Sequence, residues 1–453
     1  MKAISGGSSI GGSAYDYRDF LIDFGAIQGP KGALSYPELP RHDLKWGAFS
    51  HDHFDHIGNA MELMREYPEL PIFATGVARH GTYLQLKGSA RIARKDTEFA
   101  RLSGQNPDPP RFTEEDTEIV FERIRTVKNT GWFEPAPGYK VSFRSAGHKP
   151  GAVIILIVCP DGTRIIHACD VSIHDQGLVR GAVAPQDFLN PDILVTECTY
   201  GSKSLPHRST EEARLVEKVR EVLGRGGKVV IPHFASTCQS IALTLARAGI
   251  PSILDGMARD FWWLYNQPEG HWCDHDVKVT DDENRLIIPL GEHSQNEDWV
   301  CREEIRRSSK PVVIISTGGM LDGGPAVKYV EDALEDHRSA VLIPGHQADE
   351  STGRKLLQLE RNDQVSFTHK RIVRGEQRVW EEHRTIKAEV VPMKLSGHSD
   401  GDAMADWVCA INPKRVVTVH GEPASHAGLK ERIQRRNGRI DVTMAENGVE
   451  IPL

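Results

Sequence analysis

The sequence predicts an α/β fold built from two domains, and three observations carry that prediction. Short strand-like apolar runs alternate with amphipathic stretches almost throughout, the pattern of layered α/β domains. At 453 residues the chain exceeds one ordinary domain and can bury substantial cores. From about 201 to 385 it keeps a strand–helix rhythm of its own, flanked on both sides by segments with histidine-rich loops.

Composition narrows the class. Hydrophobic residues at 39% and charged residues at 26% describe a soluble globular protein. The net charge of −8 argues against a chain coated in positive charge, while a local basic groove could still hold a polyanion. The seven cysteines show no CxxC pairing and read as reduced thiols, which places the chain in the cytoplasm. No signal peptide is legible at the N-terminus, and the longest clean apolar run, Ala152 to Cys159, suits a buried strand and is too short for a bilayer. No membrane anchor is therefore expected.

The elements follow in order. The glycines of MKAISGGSSIGGSAYDY read as a turn between two short strands. Leu21 to Gly25 ends a strand, and Trp46 to Ser50 ends another that delivers the chain into FSHDHFDHIG, so this histidine cluster sits on a loop after a strand. A helix over Ile57–Tyr67 and a strand over Ile72–Ala74 come next, then a polar, helix-prone stretch from Gly81 to Glu122. Strands resume at Tyr139–Ser145 and Ala152–Cys159. Past Gly201, Ser209 and Glu212 read as a capping box opening a helix lined by Leu215, Val216, Val219, Val222 and Leu223. Strands at Lys228–Pro232, Pro251–Leu254, Val312–Ile315 and Ala340–Ile343 alternate with helices, the first over Gln239–Ala248. Short strands return beyond Ile386. The expected division is residues 1–200, an inserted parallel α/β domain over 201–385, and 386–453 returning to the first domain.

The HxHxDH loop gathers His51, His53, Asp55 and His56, more nitrogen and carboxylate ligands than one ion conveniently uses, which suggests two metals. Further ligands are expected at strand ends in loops of small residues. His148 in SAGHKPG, Asp170 in HACDVS and His420 in VVTVHGE qualify, and Asp170 suits a carboxylate bridging both ions. A hydroxide shared by two Lewis acids would then be the nucleophile. His398 in LSGHSD lies before a helix over Ala403–Ala410, in a loop whose Ser396 and Ser399 could present backbone N–H groups to a phosphate. It fits the acid that protonates a leaving oxygen.

The ordered motifs HDHFDHIG, GHKPGA, CDVS, TECTYG, LSGHSD and TVHGE resemble those of the metallo-β-lactamase superfamily, and more narrowly its β-CASP nucleases. The resemblance covers nearly the whole chain. It implies an αββα sandwich with an inserted β-CASP domain, and a zinc-dependent ribonuclease acting on single-stranded RNA. It assigns His51, His53 and His148 to one zinc, and Asp55, His56 and His420 to the other, with Asp170 between them. Manganese would accept the same ligands. Asp23 matches a carboxylate that braces the histidine loop. Glu197 matches the partner of the acid His398, so His398, Glu197 and Asp55 form the expected catalytic set. By the same resemblance, Ser316, Gly318 and Gly319 of the Gly-rich turn Ser316–Met320 line the cleft and touch the nucleic-acid backbone.

Where relatives commonly carry a Gly-Arg pair, the loop Pro232–Thr237 has none, which bears on how the cleft grips phosphates. His271, Asp274 and His275 have ligand chemistry but read as an irregular loop. Phe261, Trp262, Trp263 and Tyr265 stand at helical spacing and read as packing. The basic run Lys430–Arg439 reads as a solvated helix face. Two rivals stay open: a DNA nuclease of the crosslink-repair type, and a small-molecule metallo-hydrolase. In the resemblance a histidine at position 420 favours RNA. Endonuclease and exonuclease action are both compatible, and no additional RNA-binding domain fits the length, so affinity is left to the cleft, to homodimerisation or to partners.

Overall fold

The computed structural model describes residues 1–29, 34–128, 131–267, 278–291 and 295–452. His271–His275 lie outside them. Two sheets face each other. One has the strand order Lys2–Ser5, Ala14–Asp16, Phe20–Phe24, Trp46–Ala48, Ile72–Ala74 and Ile124–Thr126. The other runs Asp441–Met444, Arg415–Val419, Ile193–Glu197, Arg164–Ala168, Val153–Val158, Lys140–Ser145 and Trp132–Phe133.

Strand periodicity explains the layering. In the run Val153–Val158, Ile155 and Ile157 point into the space between the sheets with Phe20, Ile22, Trp46 and Phe143. Ile154 and Leu156 point the other way, against the helices Gly401–Ile411 and Pro423–Arg436 through Met404, Val408, Leu429 and Ile433. A continuous apolar strand is thus buried on both faces. On the far side of the first sheet, Leu21 and Ile72 pack against helices Ala60–Glu66, Gly76–Leu102 and Glu114–Arg123. The result is an αββα sandwich. The C-terminal part of the chain completes it, because Arg415–Val419 lies parallel to Ile193–Glu197 and carries the edge strand Asp441–Met444 on its other side.

The third sheet is wholly parallel, with order Ile287–Pro289, Ser252–Asp255, Val313–Thr317, Val229–His233, Ala340–Ile343 and Glu389–Pro392. Helices cover both faces, as expected for parallel strands joined by crossovers. Its last strand falls a few residues past the expected 385 boundary. Phe261, Trp262 and Tyr265 of helix Met257–Tyr265 are buried in this core, while Trp263 is exposed.

Three differences from the sequence reading have local causes. Asp55 and His56 lie in a helical turn, Phe54–Ile57, rather than in open loop. The helix at 208 starts earlier than the Ser209–Glu212 box implies: His207 is its N-cap, accepting from the Ser209 N–H, and Glu212 pairs with Arg208 at 2.9 Å. A long hairpin, Gln364–Val373 with Glu376–Thr385, is added to the inserted domain. Its turn, Arg374–Gly375, has positive φ at both residues (53° and 81°), the geometry of the tightest hairpins.

The loop carrying the first histidines is tied to the His148 loop by an ion pair between Lys149 and Asp52, both essentially without solvent exposure. The Lys149 ammonium also lies over the Phe261 ring, 5.3 Å from its centre, so the pair sits where the inserted domain meets the sandwich. Removing one partner strands a buried charge. Lys149→Met is expected to cost about 3–5 kcal/mol of stability, whereas Asp52→Ala/Lys149→Met should recover most of that loss. Urea unfolding of the two variants beside the unaltered chain checks this; a double variant no more stable than the single one would contradict it.

Candidate metal and catalytic centre

The centre lies where the strands of both sandwich sheets end. The strand Phe20–Phe24 delivers Asp23, Trp46–Ala48 leads into His51 and His53, Arg164–Ala168 into Asp170, Ile193–Glu197 ends on Glu197, and Arg415–Val419 leads into His420. Asp23 and His420 hold left-handed backbone conformations (φ 58° and 49°), sparsely populated for residues other than glycine and concentrated at functional sites. Gly25 lets the helical turn bearing Asp55 and His56 approach: a Cβ there would stand 1.7 Å from the Asp55 carbonyl oxygen.

Donor atoms of His51, His53, His148 and Asp170 lie within 4.8 Å of one another, and so do those of Asp55, His56 and His420. Asp170 joins the two groups. Its Oδ2 is 3.5 Å from His51 Nε2 and 3.6 Å from His148 Nε2, while its Oδ1 is 3.5 Å from His56 Nε2 and 3.6 Å from His420 Nδ1. His420 Nε2 stands 3.5 Å from Asp55 Oδ2.

These separations fit a shared cation. Two donors each about 2.1 Å from one tetrahedral ion stand roughly 3.4 Å apart, longer than a hydrogen bond and close to the spacing found. Three buried polar atoms, His51 Nε2, Asp170 Oδ1 and His420 Nε2, have no hydrogen-bond partner among the described residues, and all three belong to this cluster. Orphaned donors and acceptors are costly when buried, so a cluster of them facing one another calls for a cation. The cluster has the donor set and spacing of a metal site.

Outer hydrogen bonds aim the ligands. Asp23 accepts from the Ser50 N–H and the Ser50 hydroxyl, both at 2.7 Å, and from His56 Nδ1 at 2.8 Å, which turns His56 Nε2 toward Asp170. His148 Nδ1 donates to the Gly397 carbonyl at 2.8 Å, with the same effect on its Nε2. Thr199 Oγ1 is 3.1 Å from His420 Nδ1. Such partners fix tautomer and ring orientation. Burial keeps His51, His53 and His148 in the neutral form that ligates, pushing His148 down to about 4.

His398 stands beside the cluster. Its Nδ1 is 2.8 Å from Glu197 Oε1, which leaves Nε2 facing inward, 3.9 Å from Asp170 Oδ2. The Val171 N–H donates to the same Glu197 oxygen at 2.6 Å and locks the carboxylate. Burial alone would lower the His398 pKa, but the Glu197 and Asp170 carboxylates outweigh it and push it up to about 9.

The expected backbone-contacting residues fare unevenly. Ser316 is fully buried, and Ser399 is buried with its Oγ accepting from the Ile173 N–H at 2.7 Å and its own N–H donating to the Val171 carbonyl at 3.2 Å, so the backbone N–H expected to meet a phosphate is already engaged. Ser396 Oγ accepts from the His398 N–H at 3.0 Å and shapes that loop. Gly319 packs on the backbone of His233, and Gly318 has φ 119° with the Gly323 carbonyl where a Cβ would go. In the loop without the Gly-Arg pair, Ser236 Oγ reaches His53 Nε2 at 3.0 Å, bringing the inserted domain directly onto the cluster. Ser236, Thr199 and Gly397 lie in segments the sequence singles out, but nothing in their residue types announces these contacts, since each acts from a loop far along the chain. The basic helix Pro423–Arg436 is solvated as expected, Arg436 pairing with Asp402 and Asp406.

Residues 242–356 match the Beta-Casp domain, and residues 384–445 match the Zn-dependent metallo-hydrolase RNA specificity domain. Among similar proteins, the Probable RNase MJ4 of Methanocaldococcus jannaschii is 26% identical over 90% of this chain and 88% of its own length. RNase aCSPSF2 of Saccharolobus solfataricus is 27% identical over 100% and 85%. Ribonuclease TTHA0252 of Thermus thermophilus is 25% identical over 96% and 95%. A solved structure of a protein of unknown function from Enterococcus faecalis V583 shares the fold, with a TM-score of 0.56 at 16% identity over 100% of this chain and 99% of that one.

Proposed function

Because this chain belongs to the β-CASP branch of the metallo-β-lactamase superfamily, we propose that it is a metal-dependent ribonuclease whose two zinc ions are held by His51, His53 and His148 on one side and Asp55, His56 and His420 on the other, with Asp170 shared. When bound, the metal supplies Lewis acidity that lowers the pKa of water and offsets the negative charge of a phosphodiester. The protein supplies the rest. His398 Nε2 holds a proton for the leaving oxygen, Glu197 keeps that imidazole oriented and protonated, and the loop bearing Ser236 closes the substrate side of the cluster.

The observation that carries this reading is the direction of His398. Its outer nitrogen is occupied by Glu197 and its inner nitrogen is aimed at the shared carboxylate, within reach of a phosphate spanning the cluster. A structural loop histidine needs only the first of these contacts. The six described cysteines are free, which supports a reducing compartment such as the cytoplasm. No helix among the described residues is long and apolar enough to cross a membrane.

Metal-replete protein incubated with an end-labelled RNA and the same sequence as DNA tests the reading. Cleavage of RNA at least tenfold faster than DNA, abolished by chelator and restored by zinc, is expected. Preferential cutting of the DNA strand would move the protein to the crosslink-repair type, and cutting of neither would remove the nuclease reading.

A further inference from the structure

We propose that the hairpin Gln364–Thr385 is an accessory binding surface for single-stranded RNA, outside the catalytic cleft; this rests on the ribonuclease reading above. All of the hairpin but its last two residues, Arg384 and Thr385, lies between the two family matches, which end at 356 and begin again at 384. Its two halves differ sharply. At the base, Val365 and Phe367 are buried in the inserted domain's core, and the charges are neutralised: Lys328 from helix Ala326–Leu334 binds Glu331 at 2.8 Å and Glu382 at 3.1 Å, and Arg384 also reaches Glu382. At the outer half, residues 370–380 carry Lys370, Arg371, Arg374 and Arg378 against a single carboxylate, Glu376. None of these four cations has an ion-pair partner among the described residues, in a chain whose net charge is −8.

Arg371 and Arg378 are direct cross-strand partners and both are exposed. Like charges placed opposite each other weaken a two-stranded sheet, so stability does not account for them. On the same face the next pair toward the base is His369 and Trp380, stacked with ring centres 5.1 Å apart at 28°. The Trp380 Nε1–H donates to Glu382 at 2.9 Å, which holds the indole, and 37% of the residue stays exposed. An oriented, exposed indole beside two unneutralised guanidinium groups is the combination that binds single-stranded nucleic acid, by stacking and by phosphate contact. The opposite face of the outer half rests on helix Gly76–Leu102, Lys370 lying over the Phe99 ring and Gln377 bonding Ser103, so the platform is fixed to both domains. Its base sits on Ala326–Leu334, the helix that follows the loop Ser316–Met320 in the chain.

Exposed arginines can also serve only to keep a strand edge from pairing with other chains. Reversing their sign separates the two roles, because glutamate guards an edge as well as arginine does. Arg371→Glu/Arg378→Glu and Trp380→Ala are compared with the unaltered chain on a 6-nucleotide and a 40-nucleotide RNA, with binding of the longer RNA measured on a His398→Ala background across a salt series. The expected result is unchanged kcat/KM on the short RNA, which also reports an intact fold, and about tenfold weaker binding of the long one. The slope of log K against log salt should shrink by roughly 0.7 for each phosphate that the variant no longer neutralises. Long-RNA binding equal to that of the unaltered chain, or an equal loss on both lengths, overturns the proposal. If the unaltered chain cleaves neither RNA, the ribonuclease reading has failed and takes this one with it.

Discussion

An Asp170→Ala chain is expected to lose bound metal and RNA cleavage together, with turnover down at least roughly 10³-fold, since the Lewis acidity at stake is worth several kcal/mol. The expectation comes from the position of one carboxylate. Its two oxygens face separate imidazole pairs at 3.5 to 3.6 Å, so its removal takes a donor from each group at once. The ligand histidines left behind would crowd one another without the negative charge that offsets the cations. Metal content per chain after dialysis, measured beside cleavage rate, checks this. Two ions retained with cleavage within tenfold of the unaltered chain would show that Asp170 is not shared.

The second large effect belongs to His398, and it has the opposite signature. His398→Ala should keep its metal, because His398 is outside the two ligand sets proposed above, although its ring forms a further metal-capable group with Asp170 and Glu197, while kcat falls by about 10²–10⁴-fold, the usual contribution of a positioned acid. Substrate affinity should change little. Glu197→Gln should follow in the same direction and more weakly, because the amide still orients the imidazole by hydrogen bonding but no longer holds its proton by charge. Metal analysis and a kcat against KM comparison distinguish these variants from Asp170→Ala. Loss of metal from His398→Ala would assign that histidine to the metal cluster instead.

Much of the centre was legible in the sequence because its chemistry is written in contiguous or strand-end positions. His51, His53, Asp55 and His56 fall within six residues, and Asp170 and His420 each follow an apolar run whose buried strand could be read directly. Of the residues that aim those ligands, Asp23 followed from the family resemblance, but Thr199 and Gly397 were not legible. Thr199 touches His420 across 221 positions and Gly397 touches His148 across 249, and a threonine or a backbone carbonyl has no pattern that announces such a contact. Ser399 marks the converse case: its backbone N–H in a small-residue loop reads as a phosphate contact, but tertiary packing gives that N–H to the Val171 carbonyl, and Ser316 is fully buried.

The fold shows the same division. The double-sided burial of Val153–Val158 follows from its unbroken apolar run, and the parallel sheet from the strand–helix rhythm. The hairpin Gln364–Thr385 escaped because its outer half is charged on both faces, so the alternation that marks a half-buried strand survives only at Val365 and Phe367. The start of the helix at 208 was decided by His207, whose ring replaces the Ser209 cap.

The measurement that reaches the central claim most directly is single-turnover cleavage of an RNA whose leaving oxygen at the scissile phosphate is replaced by sulfur, compared with the natural RNA, by the metal-replete chain and by His398→Ala. Sulfur leaves without needing a proton. If His398 delivers that proton at the metal centre, the variant is at least roughly 10²-fold slower on the natural RNA and within a few-fold of the unaltered chain on the sulfur-substituted one. The same deficit on both substrates, with metal bound, would contradict the account.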